Sequence, residues 1–272
     1  MAAAAHYFIN SFGYSDTGLV RDENEDAFVV ADLSQEIRVE RTGGLRFLSG
    51  PRGAMFAVAD GMGGAAAGEL ASHLGLRTLY REVQGQVREV RQPDERFLEQ
   101  VLIDAVGAAN RRIFDLSNSR SDLAGMGTTL TAALEVGGRL IIGQIGDSRA
   151  YLLRDGDIRQ LTRDQSLVGA RVRSGEISAE QARSNAQRNV LLQALGIEPE
   201  IELALNLVSL HTRDILLLCS DGLHSQVAAE EIFEAVVNSA GPQAGCEELI
   251  ALANNRGGPD NITAVLVQFL VR

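Results

Sequence analysis

Residues 129–161, TLTAALEVGGRLIIGQIGDSRAYLLRDGDIRQL, decide the fold. Three β-rich runs are separated by Gly137-Gly138 and by Asp155-Gly156, dipeptides that favour tight hairpin turns, so the stretch reads as an antiparallel meander. Upstream, AMFAVA at 54–59 is a short apolar strand that ends at Asp60, and the turn Gly61-Met62-Gly63-Gly64 leads into AAAGELASHLGLRTLYREV, a helix. A second amphipathic pattern from about Asp94 to Leu116 places Phe97, Val101, Ile103, Ala105, Val106 and Ile113 among charged residues, as in a helix packed on a sheet. Two helices in succession predict an antiparallel pair. Downstream come a polar helical stretch at about 163–187, the strand ILLLCS, helical segments near 229–239 and 243–255, and a final strand ITAVLVQFLV. The insertion between Asp32 and Gly53 suggests an added hairpin through Gly43-Gly44.

Hairpin-linked strands with helices arriving in pairs predict an α+β fold, because a parallel sheet would need regular strand-helix alternation. The expected architecture is a four-layer α-β-β-α sandwich: two antiparallel sheets flanked by antiparallel helix pairs. The 272 residues hold five prolines and no Ser/Pro-rich linker, which points to one domain over 1–272.

A net charge of -11 and a pI near 4.9 oppose binding to nucleic acid or to an anionic membrane. No apolar run approaches the roughly 18 residues of a membrane span, and the start MAAAAHYFINSF lacks a basic segment and a sustained apolar core. Cys219 and Cys246 are too few for a disulfide framework and too far apart for a zinc site. The reading is a cytoplasmic enzyme with reduced thiols.

Four acidic motifs border apolar runs: RDENEDAF, AVADGMGG, LLLCSDGL and PDNITAVLV. Their carboxylates, Glu25, Asp26, Asp60, Asp221 and Asp260, suit strand ends that aim charges at one point without burying them in the core. Such a cluster needs cations. Oxygen donors and only four dispersed histidines, His6, His73, His211 and His224, select Mg²⁺ or Mn²⁺ over zinc. The glycine-rich ADGMGG lacks the GxxxxGK[ST] pattern of a nucleotide loop, and CSDGLHS lacks the arginine that a cysteine phosphatase would place there.

The ordered series RDENEDAF, ADGMGG, GMGTTL, GDSRAYL, SDGL and DNITAV resembles the metal-dependent protein phosphatases of type 2C, especially their bacterial branch, over nearly the whole chain. The resemblance implies a serine/threonine phosphatase. It assigns Asp60 as the bridge between two metal ions, with the Gly61 carbonyl on one and Asp221 and Asp260 on the other. Glu25 and Asp26 act through metal-bound waters, and Arg21 clamps the substrate phosphate. A third ion would involve Asp147 together with Asp221. Two metals also invert the field that would otherwise repel a phosphate dianion, and acidify a bridging water for in-line attack on phosphorus. Arginine matches phosphate oxygens bidentately.

The structural alternatives are a surface pairing of Arg21 with Asp22 or Glu23, a capping role for Asp26 and a turn role for Asp147. Thr128 and Thr129 are explained by β propensity and stand outside the catalytic set. The chain departs from the related pattern at Ala65, Gln165 and Asn185, where bacterial relatives commonly read GGH, DHS and HP, and at Ser225, which replaces a frequent aspartate. Met62 stands where some eukaryotic members carry a histidine proposed as general acid, so the leaving alkoxide takes its proton from a metal-bound water or an unidentified group.

Residues 161–195 are expected to form a variable flap. Arg163, Arg171, Arg173, Arg183 and Arg188 outnumber Asp164, Glu176 and Glu180 there, which suits docking of a phosphorylated protein or, equally, a solvated helix face. The expected partners are phosphorylated proteins, a Ser/Thr kinase or its substrates, met by a monomer. The competing functions are a catalytically silent phosphoprotein-binding module of the same fold, and a metal-dependent nuclease, which the acidic pI disfavours.

Overall fold

In a computed structural model, residues 7–90, 93–178, 181, 185 and 187–271 are described. His6, Glu180 and Arg183 fall outside them. The chain opens with β1 (Tyr7–Asp16), β2 (Asp26–Asp32), β3 (Ile37–Val39), β4 (Gly43–Leu48) and β5 (Ala54–Met62), followed by helices α1 (Ala65–Arg88) and α2 (Glu95–Ser119). Next come β6 (Gly127–Thr128), β7 (Leu130–Val136), β8 (Arg139–Ile145), β9 (Arg149–Arg154), β10 (Asp157–Gln160) and the short helix α3 (Leu167–Arg173). The last third holds β11 (Ala204–Ser209), β12 (Ile215–Cys219), α4 (Asp221–His224), α5 (Ala229–Val237), α6 (Pro242–Asn255) and β13 (Ile262–Val271).

The meander forms as its turns dictate. Gly137 and Gly138 both have positive φ (56° and 81°), as do Asp155 and Gly156 (52° and 85°), the conformation of a two-residue turn whose twist matches the flanking strands. One sheet runs β10-β9-β12-β13-β1-β4 and the other β11-β8-β7-β5-β2-β3, with β6 paired to β5. Every pairing is antiparallel.

Three cores make four layers. Alternate residues of β2, Phe28 and Val30, meet Val265, Val267 and Phe269 of β13 between the sheets. The opposite residues of β2, Ala27, Val29 and Ala31, face α1 and α2 through Leu79, Val83, Val101 and Leu102. On the other outer face Leu217, Ala264 and Leu266 pack against Ile232 and Val236 of α5 and Leu249 and Ile250 of α6. Both faces of each sheet are therefore buried, which explains why the central strands are apolar throughout. The α+β sandwich expected from the hairpins and helix pairs is the observed fold. The side chain of Asp94 caps α2 by accepting from the Phe97 N–H at 2.8 Å, and Pro242 opens α6.

Three local expectations need correction. Strand β5 does not end at Asp60: it continues to Met62, because Gly61 and Met62 pair with Thr128 and Gly127 of β6. Within the polar stretch 163–187 a first helix covers Leu167–Arg173 and stops there, with Ser166 as its cap and Gly175 (φ 75°) after it, so the described residues do not form one continuous helix; Gln181 is again helical. The insertion after Asp32 turns before Gly43-Gly44: β3 folds back on β2, whereas β4 crosses to pair with β1, so the segment joins the two sheets. Strand β11, half exposed along its length, had no clear apolar signal. Among the described residues, no helix is long and apolar enough to cross a membrane.

Candidate metal centre

The predicted carboxylates converge because strands of both sheets end at one place. Asp26 begins β2 directly opposite Asp60 of β5 in the antiparallel register. Asp221 follows β12, Asp260 precedes β13, and these two strands are neighbours. Asp147 follows β8. Arg21, Glu25, Asp60, Gly61, Asp147, Asp221 and Asp260 line one cavity of ≈ 220 Å³. Asp26 stands behind that wall, 4% exposed.

The backbone around Asp60 is tied down on both sides. Its N–H donates to Thr129 Oγ1 at 3.0 Å, and its carbonyl accepts from Thr128 Oγ1 and from the Thr129 N–H, each at 2.9 Å. Thr129 Oγ1 also meets Ser148 Oγ at 2.7 Å. The two threonines that β propensity had seemed to explain thus position Asp60, and Thr129 lines the cavity. Gly61 admits no side chain: a Cβ there would lie 2.2 Å from the Gly68 carbonyl oxygen and 2.7 Å from that of Glu25. Gly68, in the first turns of α1, leaves room for Glu25; a Cβ at Gly68 would fall 1.7 Å from Glu25 Oε2. Sequence reasoning missed Gly68, and its one signal was a glycine inside a helical pattern.

Asn261 and Ser220 are two further residues the motifs contained but the reading passed over. Asn261 Oδ1 accepts from the Glu25 N–H at 2.8 Å, while its Nδ2 donates to the carbonyls of Thr17 and Glu23, both at 2.9 Å. It clamps the loop that carries Arg21 and Glu25. Ser220 Oγ donates to Asp26 Oδ2 at 2.6 Å and accepts from the Thr263 N–H at 3.0 Å.

The electrostatics describe a site short of positive charge. Burial, with repulsion from Asp221 and Asp260, pushes Asp26 up to about 7 against hydrogen bonds from Ser220 and Thr263. Burial and then Asp260 push Asp221 up to about 6. Asp60 is held well above the usual carboxylate range by burial and then by Asp26, Asp221, Asp147 and Asp260, and Asp147 by burial and then Asp221 and Asp164. Asp26 Oδ1, buried, has no hydrogen-bond partner. Unpaired buried carboxylate oxygens cost free energy that a divalent cation, or water bound to one, would offset. The all-oxygen donor set, with the Gly61 carbonyl beside it, fits Mg²⁺ or Mn²⁺.

The fit is not that of a closed cage. Among the described residues no group of three His, Cys, Asp or Glu side chains is gathered to hold one ion unaided. Two observations account for this: Asp260 Oδ2 is turned to Arg21 Nη2 at 2.9 Å, and hard cations of this kind keep several waters. Arg21 pairs with Asp260, not with Asp22 or Glu23 as the surface alternative supposed. His224 is buried, its Nε2 3.0 Å from the Asp147 carbonyl oxygen, and burial lowers its pKa to about 3, so the ring is neutral. Cys219 is a buried strand residue with its thiol pushed up to about 12 by burial, which removes it as a nucleophile.

A family model described as Protein phosphatase 2C matches residues 45–252. The chain is 40% identical over 211 residues to a serine/threonine phosphatase stp of Listeria welshimeri, covering 78% of this chain and 82% of that protein. It is 40% identical over 252 residues to the serine/threonine protein phosphatase PstP of Mycobacterium tuberculosis, covering 93% of this chain and 43% of that longer protein. The crystal structure of the catalytic domain of a PstP in complex with two manganese ions superposes with a TM-score of 0.79 at 36% identity, covering 97% of this chain and 99% of that one.

Proposed function

The chain belongs to the protein phosphatase 2C family, and from that premise we infer that it is a metal-dependent phosphatase that hydrolyses phosphoserine and phosphothreonine monoesters in proteins. The reading rests on one observation above all: Asp26 and Asp147, buried, and Asp60 and Asp221, half-buried, gather around one point while Arg21 stands at its mouth. Divalent cations held there would neutralise the carboxylates and acidify a water for attack on phosphorus.

The chain's own residues take the following parts. Asp60 would be shared between two ions, with the Gly61 carbonyl serving one and Asp221 and Asp260 the other. Glu25 and Asp26 would act through water, the latter with its free Oδ1. Asp147 would serve a third ion together with Asp221. Arg21, half exposed, would hold the phosphate oxygens and orient the ester for in-line displacement. Thr128, Thr129, Asn261 and Ser220 would keep these groups in place through the hydrogen bonds already described. Either Mg²⁺ or Mn²⁺ suits the donors.

The expected setting is a cytoplasmic monomer that opposes a Ser/Thr kinase, in keeping with two buried free thiols. Incubation with a phosphothreonine peptide and, separately, with single-stranded nucleic acid tests the substrate class. Phosphate release from the peptide alone is expected; cleavage of the nucleic acid without peptide turnover would overturn the reading.

A further inference from the structure

Beside the catalytic cavity lies a second one, of ≈ 440 Å³. Asp147, Asn189 and Asp221 line both, so the two cavities are neighbours that share this wall. Val168 and Val172 of α3 give the second cavity an apolar side, and Arg149, Arg163, Arg173 and Arg188 give it charge.

The arginines differ in what they have left to offer. Arg149 is spent on Asp164, with Nε and Nη2 donating at 2.9 and 2.6 Å, so this half-buried pair carries no net charge into the cavity. Arg173 donates to the backbone carbonyl of Asp164 at 2.7 Å, a bond that fixes its direction, and it forms no ion pair among the described residues. Arg163 and Arg188 are exposed, and neither forms an ion pair among the described residues. Arg171, of the same basic segment, is turned to Glu176 (3.5 Å) and Gln187 (3.1 Å) and does not line the cavity.

A chain with net charge -11 therefore keeps, around one opening next to its catalytic cavity, three guanidinium groups that form no ion pair among the described residues, of which Arg188 is near enough to attract the Asp221 carboxylate. Guanidinium groups match phosphate oxygens in geometry and charge, and the two valines can receive the carbon atoms that carry such a group. Asp147 and Asp221 sit at the shared wall and line the catalytic cavity too, so cations held there would offset their repulsion of a phosphate.

We propose that this cavity is a second phosphate subsite, which binds without cleaving a phosphorylated residue of the same peptide whose phosphoserine or phosphothreonine occupies the catalytic cavity. The protein thereby favours segments phosphorylated at two nearby positions. This rests on the reading of the catalytic cavity as a phosphomonoester site.

A panel of phosphothreonine peptides tests it, each carrying serine, glutamate or a second phosphoserine at a varied distance from the phosphothreonine. At one spacing the second phosphoserine should raise kcat/KM by about tenfold or more over serine, with glutamate between them. In the double variant Arg163→Ser, Arg188→Ser that ratio should fall to near one. A ratio near one at every spacing in the unaltered protein, or one unchanged in the double variant, would overturn the subsite. Metal-dependent hydrolysis of p-nitrophenyl phosphate, measured on the same preparation, reports on the catalytic cavity alone. Its absence from the unaltered protein would remove the premise and the subsite together, whereas its presence with a ratio of one removes only the subsite.

Discussion

Arg21 donates from Nη2 to Oδ2 of Asp260 across 2.9 Å, joining the loop before β2 to the loop before β13. Both side chains are partly open to solvent, 48% and 27%, so the pair contributes little to stability, about 1 kcal/mol or less. Its meaning lies in the competition it sets up. Asp260 is a proposed cation ligand and Arg21 a proposed phosphate ligand, so each holds the other in place until cation and substrate separate them.

Arg21→Ala should therefore lower kcat/KM for phosphopeptides by roughly 10- to 100-fold, the range for a lost charged hydrogen bond, mainly through KM. The same variant should bind Mn²⁺ as tightly as the unaltered protein or more tightly, because Asp260 no longer has to leave an arginine. Calorimetric titration with Mn²⁺ measures this, and weaker binding would count against the competition.

Asp26 and Asp221 predict a pH signature of the metal-free protein. Their folded values, about 7 and about 6, lie above the ordinary 3.8, so folding favours their protonated forms. The stability this contributes is fully present below about pH 4 and is lost as pH rises through about 6 to 7. Metal-free Tm should therefore fall between about pH 5 and about pH 8, and the rise in Tm on adding Mn²⁺ should grow over the same range. At 100 times its Kd the cation adds about 2.7 kcal/mol, or about 5–10 °C in a chain of this size. A metal-free Tm that climbs from pH 5 to 8 would contradict the assignment.

Asp60→Ala should reduce turnover to below about 1% because the shared ligand is lost, whereas Asp147→Ala should cost less than about 100-fold. The metal-free Asp60→Ala protein should melt higher than its parent, since a half-buried carboxylate repelled by four others is gone. A thermal scan in EDTA beside an activity assay separates the two effects.

Gly68→Ala adds one methyl group in a helix, where alanine is favoured by roughly 0.5–1 kcal/mol. That methyl lands on the movable carboxyl end of Glu25, 1.7 Å from Oε2 and 2.7 Å from Cδ, and comes within 3.1 Å of the Gly61 carbonyl carbon, which has to give by a few tenths of an ångström. The variant should fold with unchanged or higher Tm and lose about tenfold in kcat, the scale of a disturbed supporting residue. Unaltered kcat would show that Glu25 has no part in the centre.

The layers of the fold were legible because hairpin glycines and apolar runs are local signals. Gly137-Gly138 and Asp155-Gly156 specify their turns whatever surrounds them. The aspartates were legible because each stands next to such a run. What escaped was whatever depends on a distant partner. Thr128 and Thr129 look like ordinary strand residues until Asp60 is placed beside them, and Asn261 reveals its role only with Glu25, 236 positions away in sequence. The basic residues of 163–188 could not be sorted from sequence, since only the fold turns Arg171 to Glu176 and leaves Arg163 and Arg188 to the second cavity. The continuation of β5 past Asp60 was hidden because its partner, β6, is two residues long.

Removal and return of the cation test the central claim most directly. Protein stripped with EDTA and assayed on a phosphothreonine peptide should release no phosphate, and Mn²⁺ should restore turnover with a dependence that saturates. Full turnover by the stripped protein would contradict the assignment of Asp60, Asp221 and Asp260 to a cation centre.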